Sequence, residues 1–137
     1  MTRTTILCGV VLAAGLARGE NVVRQVDVRE QGDQTEVLVR GGSAPTFTTY
    51  KLDRPARVVV DIANARIRDV ESPLAVDTWA VSQVAVQEFR ADDRTIARVM
   101  VALKRECSYD VRAAGSDVKI VLVPSVPRPA EAAGEAQ

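Results

Sequence analysis

The chain has 137 residues, about one domain's length, and 47% of them are hydrophobic, so it can bury a core of its own. Its 18 basic residues balance its 18 acidic ones, which argues against a nucleic-acid partner because such proteins carry a basic excess. The chain has no His, the commonest general base and zinc ligand. It also lacks a Gly-rich phosphate loop and paired-Cys metal motifs. We therefore expect no enzyme activity, no metal site and no cofactor.

Residues 1–19 have the pattern of a secretory signal peptide. Arg3 precedes an apolar run over residues 6–17, and small residues lead to a cleavage site before Glu20. The run is too short for a permanent transmembrane helix. Two alternatives are a buried N-terminal helix and lipid attachment at Cys8, although the residue before Cys8 is larger than a lipoprotein signal requires. We expect export, with the signal removed.

Residues 20–123 show the period-two alternation of half-buried strands. In chain order the predicted strands cover residues 23–30, 35–40, two segments within 47–65, then 84–89, 95–104, 108–113 and 117–123. Turn residues separate them, and no long amphipathic helix intervenes. The sequence therefore predicts an all-β fold, a sandwich of two sheets.

Two segments depart from this alternation. Residues 63–80, with Pro73 and Trp79, form an irregular connection that could cross between sheets. Residues 124–137 are rich in Pro, Ala and Glu, which predicts a flexible tail or a linker to a further domain. Cys107, within a strand pattern, is predicted to be a small buried residue.

Binding is the chemistry that the remaining residues favour. The carboxylates of Asp92 and Asp93 lie between arginines in a predicted loop, which is typical of a solvated turn. The outward strand positions carry several arginines: Arg29, Arg40, Arg57, Arg98 and Arg112. They are either polar cover that protects sheet edges or, if several share one sheet, a surface for carboxylates and sugar hydroxyls.

The segment from residue 45 to 62 contains an ordered motif. Pro-Thr-Phe precedes a short strand, and Asp-Arg-Pro-Ala-Arg-Val-Val-Val-Asp-Ile then follows over residues 53–62. Pro55 fixes the backbone and has no N–H to donate, which predicts a hairpin corner over residues 53–55. Val58, Val60 and Ile62 are predicted to face one way, with Arg57, Val59 and Asp61 opposite. Arg57 and Asp61 would stand about 13 Å apart along one strand, so each needs another partner. We favour a structural role for Asp61, in a turn or beside a neighbouring arginine.

This pattern resembles the signature of the AMIN domain, with Phe47, Pro55, Arg57 and Asp61 at the motif positions. The resemblance covers residues 22–123 and is closest to the N-terminal region of type IV pilus secretins. It implies a two-sheet sandwich in the periplasm that binds peptidoglycan without catalysis. AMIN domains usually serve as targeting modules that are attached to cell-wall amidases or to outer-membrane secretins of the pilus machinery. The given sequence contains neither an amidase domain nor a secretin channel region.

We therefore predict a non-catalytic periplasmic module that binds peptidoglycan and localises type IV pilus or other envelope machinery. The candidate peptidoglycan contacts are Arg40, Arg57, Arg98 and Arg112. The alternative is a protein–protein assembly module of a pilus or secretion secretin complex, which would use a sheet edge. A truncated product without an independent role is a third interpretation. Neither function requires nucleic acid or a permanent transmembrane segment.

Overall fold

The computed structural model describes residues 21–129. The predicted signal peptide and residues 130–137 of the predicted tail lie outside this range. The described residues form strands and turns without a helix. The strands are β1 (Asn21–Val23), β2 (Gln25–Gln31), β3 (Gln34–Arg40), β4 (Phe47–Leu52), β5 (Arg57–Ala63), β6 (Ala65–Ile67), β7 (Leu74–Ala75), β8 (Val81–Ala91), β9 (Arg94–Leu103), β10 (Cys107–Ala114) and β11 (Asp117–Pro124).

Two antiparallel sheets pack against each other. The first has five strands in the order β4-β5-β9-β8-β7, and the second has four in the order β10-β11-β3-β2. A short parallel pair, β1 with β6, accompanies them. One continuous cluster of buried side chains draws on both sheets, so the prediction of an all-β, two-sheet sandwich is confirmed.

Alternation along the central strands builds this core. In β5, Val58, Val60 and Ile62 are buried on the predicted inner face. The facing sheet contributes alternate residues of β3 and β11 to the same cluster, namely Val37, Val39, Val118, Ile120 and Leu122. Each fully buried aliphatic side chain of this kind stabilises the fold by about 1.5–3 kcal/mol. Cys107 is buried as predicted, and this burial raises the pKa of its thiol.

The strand boundaries differ from the prediction where tertiary contacts decide them. The predicted strand over residues 23–30 is broken at Arg24, because Val23 belongs to β1 and pairs with Ile67 of β6. β8 begins at Val81, earlier than predicted, because a register irregularity between Val81 and Gln83 obscures the alternation. The irregular connection over residues 63–80 contains the short strands β6 and β7.

The first residues of the predicted tail contact the sandwich. Ser125 N donates a hydrogen bond to the carbonyl of Glu106 at 2.9 Å, immediately after the end of β11. Trp79 Nε1 donates to the carbonyl of Val126 at 3.1 Å, and Arg128 lies 3.6 Å from a carboxylate oxygen of Glu30. The tail therefore begins along the side of the fold that carries Trp79.

The loop after β3 is held by a buried side chain of β1. Asn21 Oδ1 accepts hydrogen bonds from the backbone amides of Gly42 at 2.8 Å and Ser43 at 3.1 Å. A Cβ atom at Gly41 would lie only 2.8 Å from both Asn21 Oδ1 and the carbonyl of Ser116. At Gly42 the nearest atoms would be 4.0 Å away.

We therefore expect Gly41→Ala to lower the free energy of unfolding by about 1–3 kcal/mol, because the added methyl group forces the Asn21 contacts apart. Gly42→Ala is the matched control and should change stability by less than about 1 kcal/mol, since its Cβ meets the backbone of Val22 only at ordinary van der Waals distance. Urea unfolding of both variants measures the difference. Equal losses would mean that the approach of the loop to Asn21 is not tight.

Candidate functional site

The motif at residues 53–62 forms the β4–β5 hairpin, as the sequence predicts. Leu52 pairs with Arg57 across the turn, and Pro55 lies at the corner with a cis peptide bond to Arg54. Arg57 Nη1 donates a hydrogen bond to the carbonyl of Pro55 at 3.0 Å. Phe47, at the other end of β4, packs against the core. Pro55 and Phe47 therefore shape the hairpin.

The outer face of the five-stranded sheet is more apolar than a solvated sheet face requires. Val59 points outward beside Arg57 and Asp61, yet it is only 1% exposed. Its direct cross-strand neighbours are Tyr50 of β4 and Met100 of β9, which flank it on this face. The outer face thus has a packed layer of its own at the centre of the sheet.

Arg98 is the polar centre of this face. It lies directly opposite Asp61 in the β5–β9 ladder. Its Nε donates to Asp61 Oδ1 at 2.8 Å, and its Nη2 donates to Asp61 Oδ2 at 3.2 Å. The guanidinium carbon lies 4.6 Å from the centroid of the Phe89 ring, a cation–π contact. We call Arg98, Asp61, Phe89 and Tyr50 the Arg98 cluster, since Tyr50 lies on the same face of the sheet, opposite Val59.

The charges in this cluster are partly shielded from water. The side chain of Asp61 is 17% exposed and that of Arg98 is 33% exposed. The hydrogen bond that Arg98 donates to the Asp61 carboxylate raises the pKa of Arg98, so its guanidinium stays charged. Asp61 thus pairs with a neighbouring arginine, which is one of the two arrangements expected for a structural role. Part of the Arg98 side chain and parts of Tyr50 and Phe89 remain exposed to solvent.

A cleft of about 140 Å³ adjoins the cluster. Asp61 belongs to both, and Ile96, which lines the cleft, lies opposite Phe89 in the β8–β9 ladder. The remaining lining residues come from β4, β5 and the residue before β4, namely Thr46, Phe47, Thr48 and Ala63. The cleft therefore has apolar walls, with two Thr side chains and one carboxylate as its polar groups.

The four arginines predicted as wall contacts do not meet on one surface. Arg57 and Arg98 lie on the outer face of the five-stranded sheet, whereas Arg40 and Arg112 lie in the four-stranded sheet. Arg40 Nε lies 2.6 Å from an oxygen of Asp27, and Arg112 Nε lies 2.6 Å from an oxygen of Asp110. Since Arg98 is paired as well, three of the four guanidinium charges are already compensated within the fold.

Sequence reasoning placed Arg98 on an outward strand position and Val59 on the same face as Arg57 and Asp61, but it did not identify this face as a packed layer. The available signal was apolar residues on both faces of neighbouring strands, as with Val59 in β5 and Met100 in β9. Phe89 and Tyr50 gave no such signal, because their approach to Arg98 depends on the strand order. That order is a long-range property of the fold.

Among residues 21–129, no group of three or more His, Cys, Asp or Glu side chains is arranged to hold a metal ion. Within the same range, no helix is long and apolar enough to cross a membrane.

The comparison with protein families gives a match over most of the chain. A family model of the AMIN domain matches residues 25–124, from the first residue of β2 to the last of β11. The comparison with curated proteins gives no match. AMIN domains in general are periplasmic, non-catalytic modules that bind peptidoglycan. Because the match covers both large sheets and well over half of the residues, the chain belongs to the AMIN domain family.

Proposed function

We propose that this protein binds peptidoglycan in the periplasm without cutting it, and that it does so through the outer face of the five-stranded sheet. The observation that carries this assignment is the Arg98 cluster beside the apolar cleft on that face. Family membership supports the ligand class. The structure of the outer face supports the choice of surface, since this face sets aromatic rings and a guanidinium group beside an apolar cleft. The opposite face carries the charge pairs Asp27–Arg40, Asp110–Arg112 and Glu36–Lys119.

The chemistry of this face suits a glycan that carries peptide stems. The rings of Tyr50 and Phe89 offer apolar surfaces on which sugar rings can stack. The cleft beside Ile96 has the apolar walls and Thr hydroxyl groups that an N-acetyl group needs. Arg98 has N–H groups beyond the two that Asp61 engages, and these can bind a stem-peptide carboxylate.

The binding should depend only weakly on salt. Arg98 is paired with Asp61 in the free protein, so a ligand carboxylate would meet a pair with little net charge. Arg40 and Arg112 are paired in the same way on the other sheet. The four predicted arginines remain candidate contacts, with Arg57 and Arg98 preferred to Arg40 and Arg112 because of the face on which they lie.

Co-sedimentation with purified sacculi tests the assignment of the surface. We expect the double variant Tyr50→Ala/Phe89→Ala to weaken retention about tenfold or more, because it removes both aromatic stacking surfaces and a loss of only about 1.4 kcal/mol corresponds to tenfold. The matched control is Arg40→Ala/Arg112→Ala on the opposite face, which should stay within about twofold of the wild type.

Thermal unfolding of both variants establishes that they are folded. The opposite pattern, with loss only in the arginine double variant, would move the binding surface to the four-stranded sheet. Absence of wild-type retention at low salt would contradict wall binding altogether. Release of soluble fragments from the sacculi by the wild type would contradict the non-catalytic part of the proposal.

The link to type IV pilus or other envelope machinery is the finer part of the proposal. It rests on the resemblance of residues 107–123 to the N-terminal region of pilus secretins. The second candidate function, assembly of a secretin complex by strand pairing, is favoured by the edge of β10 at the start of this segment, which within residues 21–129 has no neighbouring strand. Cross-linking to a secretin in the envelope, without retention on sacculi, would support the second function.

A further inference from the structure

The free edge of β10 has the chemistry to pair with a second copy of itself. β10 is the outermost strand of the four-stranded sheet, and within residues 21–129 it pairs only with β11. It is eight residues long and contains neither Pro nor Lys, the residues that commonly protect an edge from pairing. It offers a regular row of backbone donors and acceptors.

The direction of those backbone groups follows from the pairing with β11. Ser125 N donates to the carbonyl of Glu106, so the backbone of Glu106 points at β11. Pro124, opposite Cys107, has no N–H to donate. Because antiparallel pairs alternate, residues 108, 110 and 112 also bond β11, whereas the backbone groups of Tyr109, Val111 and Ala113 point outward from the edge.

The side chains of β10 are self-complementary when two copies run antiparallel about Val111. Asp110 of one copy then lies opposite Arg112 of the other, and the reverse pair forms by symmetry. In this register Val111 meets Val111, and Tyr109 meets the small side chain of Ala113. Val111 forms a hydrogen-bonded pair, so the two charge pairs occupy the closer, non-hydrogen-bonded positions.

These charges are available for such pairing. Asp110 and Arg112 now bond each other along one strand at 2.6 Å, with 56% and 76% of their side chains exposed. Exchanging this contact for an equivalent one across the interface buries no unpaired charge. Three hydrogen-bonded residue pairs would add about six backbone hydrogen bonds to the sheet.

The other edges of the sheets are less suited to pairing. β7 has only two residues. The start of β2 lines a cleft with residues 69–71 and 74, and Glu30 near its end contacts Trp79 N and Arg128. β4 carries a single charged residue, Lys51, which already bonds Glu106. β10 alone of these edges combines length, open backbone groups and opposite charges two residues apart.

We propose that this protein forms a symmetric dimer in which two β10 strands pair antiparallel about Val111, joining the four-stranded sheets into one of eight strands. The two-fold axis of such a pair is perpendicular to the sheet. Both five-stranded sheets therefore lie on the same side, and their outer faces point the same way. Under the proposed wall-binding function, the dimer presents two Arg98 clusters to one polymer, which raises its avidity.

Sedimentation velocity of the full chain over a concentration series tests the dimer, with charge variants as the probe. We expect Asp110→Arg and Arg112→Asp each to weaken self-association at least about tenfold, because each places like charges opposite one another at two positions. An equimolar mixture of the two single variants should associate again, since every arginine then faces an aspartate. The double variant Asp110→Arg/Arg112→Asp should dimerise as the wild type does.

The mixture distinguishes pairing from misfolding, because a variant that failed to fold would not be rescued by its counterpart. A wild type that stays monomeric up to about 100 µM would overturn the proposal. So would single variants that dimerise as strongly as the wild type, which would indicate another interface or occupation of the β10 edge by residues 130–137. These outcomes are independent of sacculus binding, so failure of the dimer and failure of the proposed function can be told apart.

Discussion

Replacement of Leu122 by alanine should lower the free energy of unfolding by about 2–5 kcal/mol. Leu122 lies on the inner face of β11, is fully buried, and belongs to the cluster that joins the two sheets. The substitution removes buried apolar surface and leaves a cavity that the rigid ladder between β10 and β3 cannot close. Because a domain of this size is stable by about 5–15 kcal/mol, the loss is a large fraction of the total.

Urea unfolding at equilibrium measures this loss, and Val121→Ala provides the matched control. Val121 is the preceding residue of the same strand and points to the outer face, where it is half-buried. The Val121→Ala variant should lose less than about 1 kcal/mol of unfolding free energy, because the substitution removes less buried volume. A larger loss at position 121 than at 122 would mean that the register of β11, and with it the core, is reversed.

Replacement of Arg98 by alanine should lower the free energy of unfolding by about 2–4 kcal/mol. It leaves the largely shielded carboxylate of Asp61 without either of its hydrogen bonds and uncovers the ring of Phe89. Asp61→Ala should cost less, about 1–2 kcal/mol, because the longer Arg98 side chain can move its charge into water. Arg98→Lys should recover only part of the stability lost in Arg98→Ala, because an ammonium group cannot form the bidentate hydrogen bond with the Asp61 carboxylate.

The double variant Asp61→Ala/Arg98→Ala completes the cycle. Its loss should be smaller than the sum of the two single losses by about 1–2 kcal/mol, since the second substitution removes a charge that the first has already left unpaired. Chemical denaturation of the four proteins gives this coupling energy directly. Additive losses would show that the pair contributes no mutual stabilisation, and that Arg98 acts through Phe89 alone.

Local patterns in the sequence were sufficient for the core. The alternation in β5 identified Val58, Val60 and Ile62 as the buried face, and the turn chemistry at Pro55 identified the hairpin corner. These features depend on residues that are close in the chain. The period-two pattern and the absence of helical spacing were also enough for the sandwich class.

The functional surface could be predicted only in part, because it depends on which strands become neighbours. β5 lies between β4 and β9, so Arg98 meets Asp61 across 37 residues of sequence. The sequence likewise gave no means of assigning Arg40 and Arg112 to the other sheet. The break at Arg24 was missed for the same reason, because β1 takes its partner, β6, from a distant part of the chain.

Titration with soluble glycan–peptide fragments of peptidoglycan, followed by backbone amide chemical shifts, tests the central claim most directly. The proposed function predicts shifts that concentrate on the outer face of the five-stranded sheet, at Tyr50, Asp61, Phe89, Ile96 and Arg98. Residues of β3 and β11 on the opposite sheet should be unaffected. Shifts confined to Arg40, Arg112 and their neighbours, or no shifts at millimolar fragment, would contradict the account.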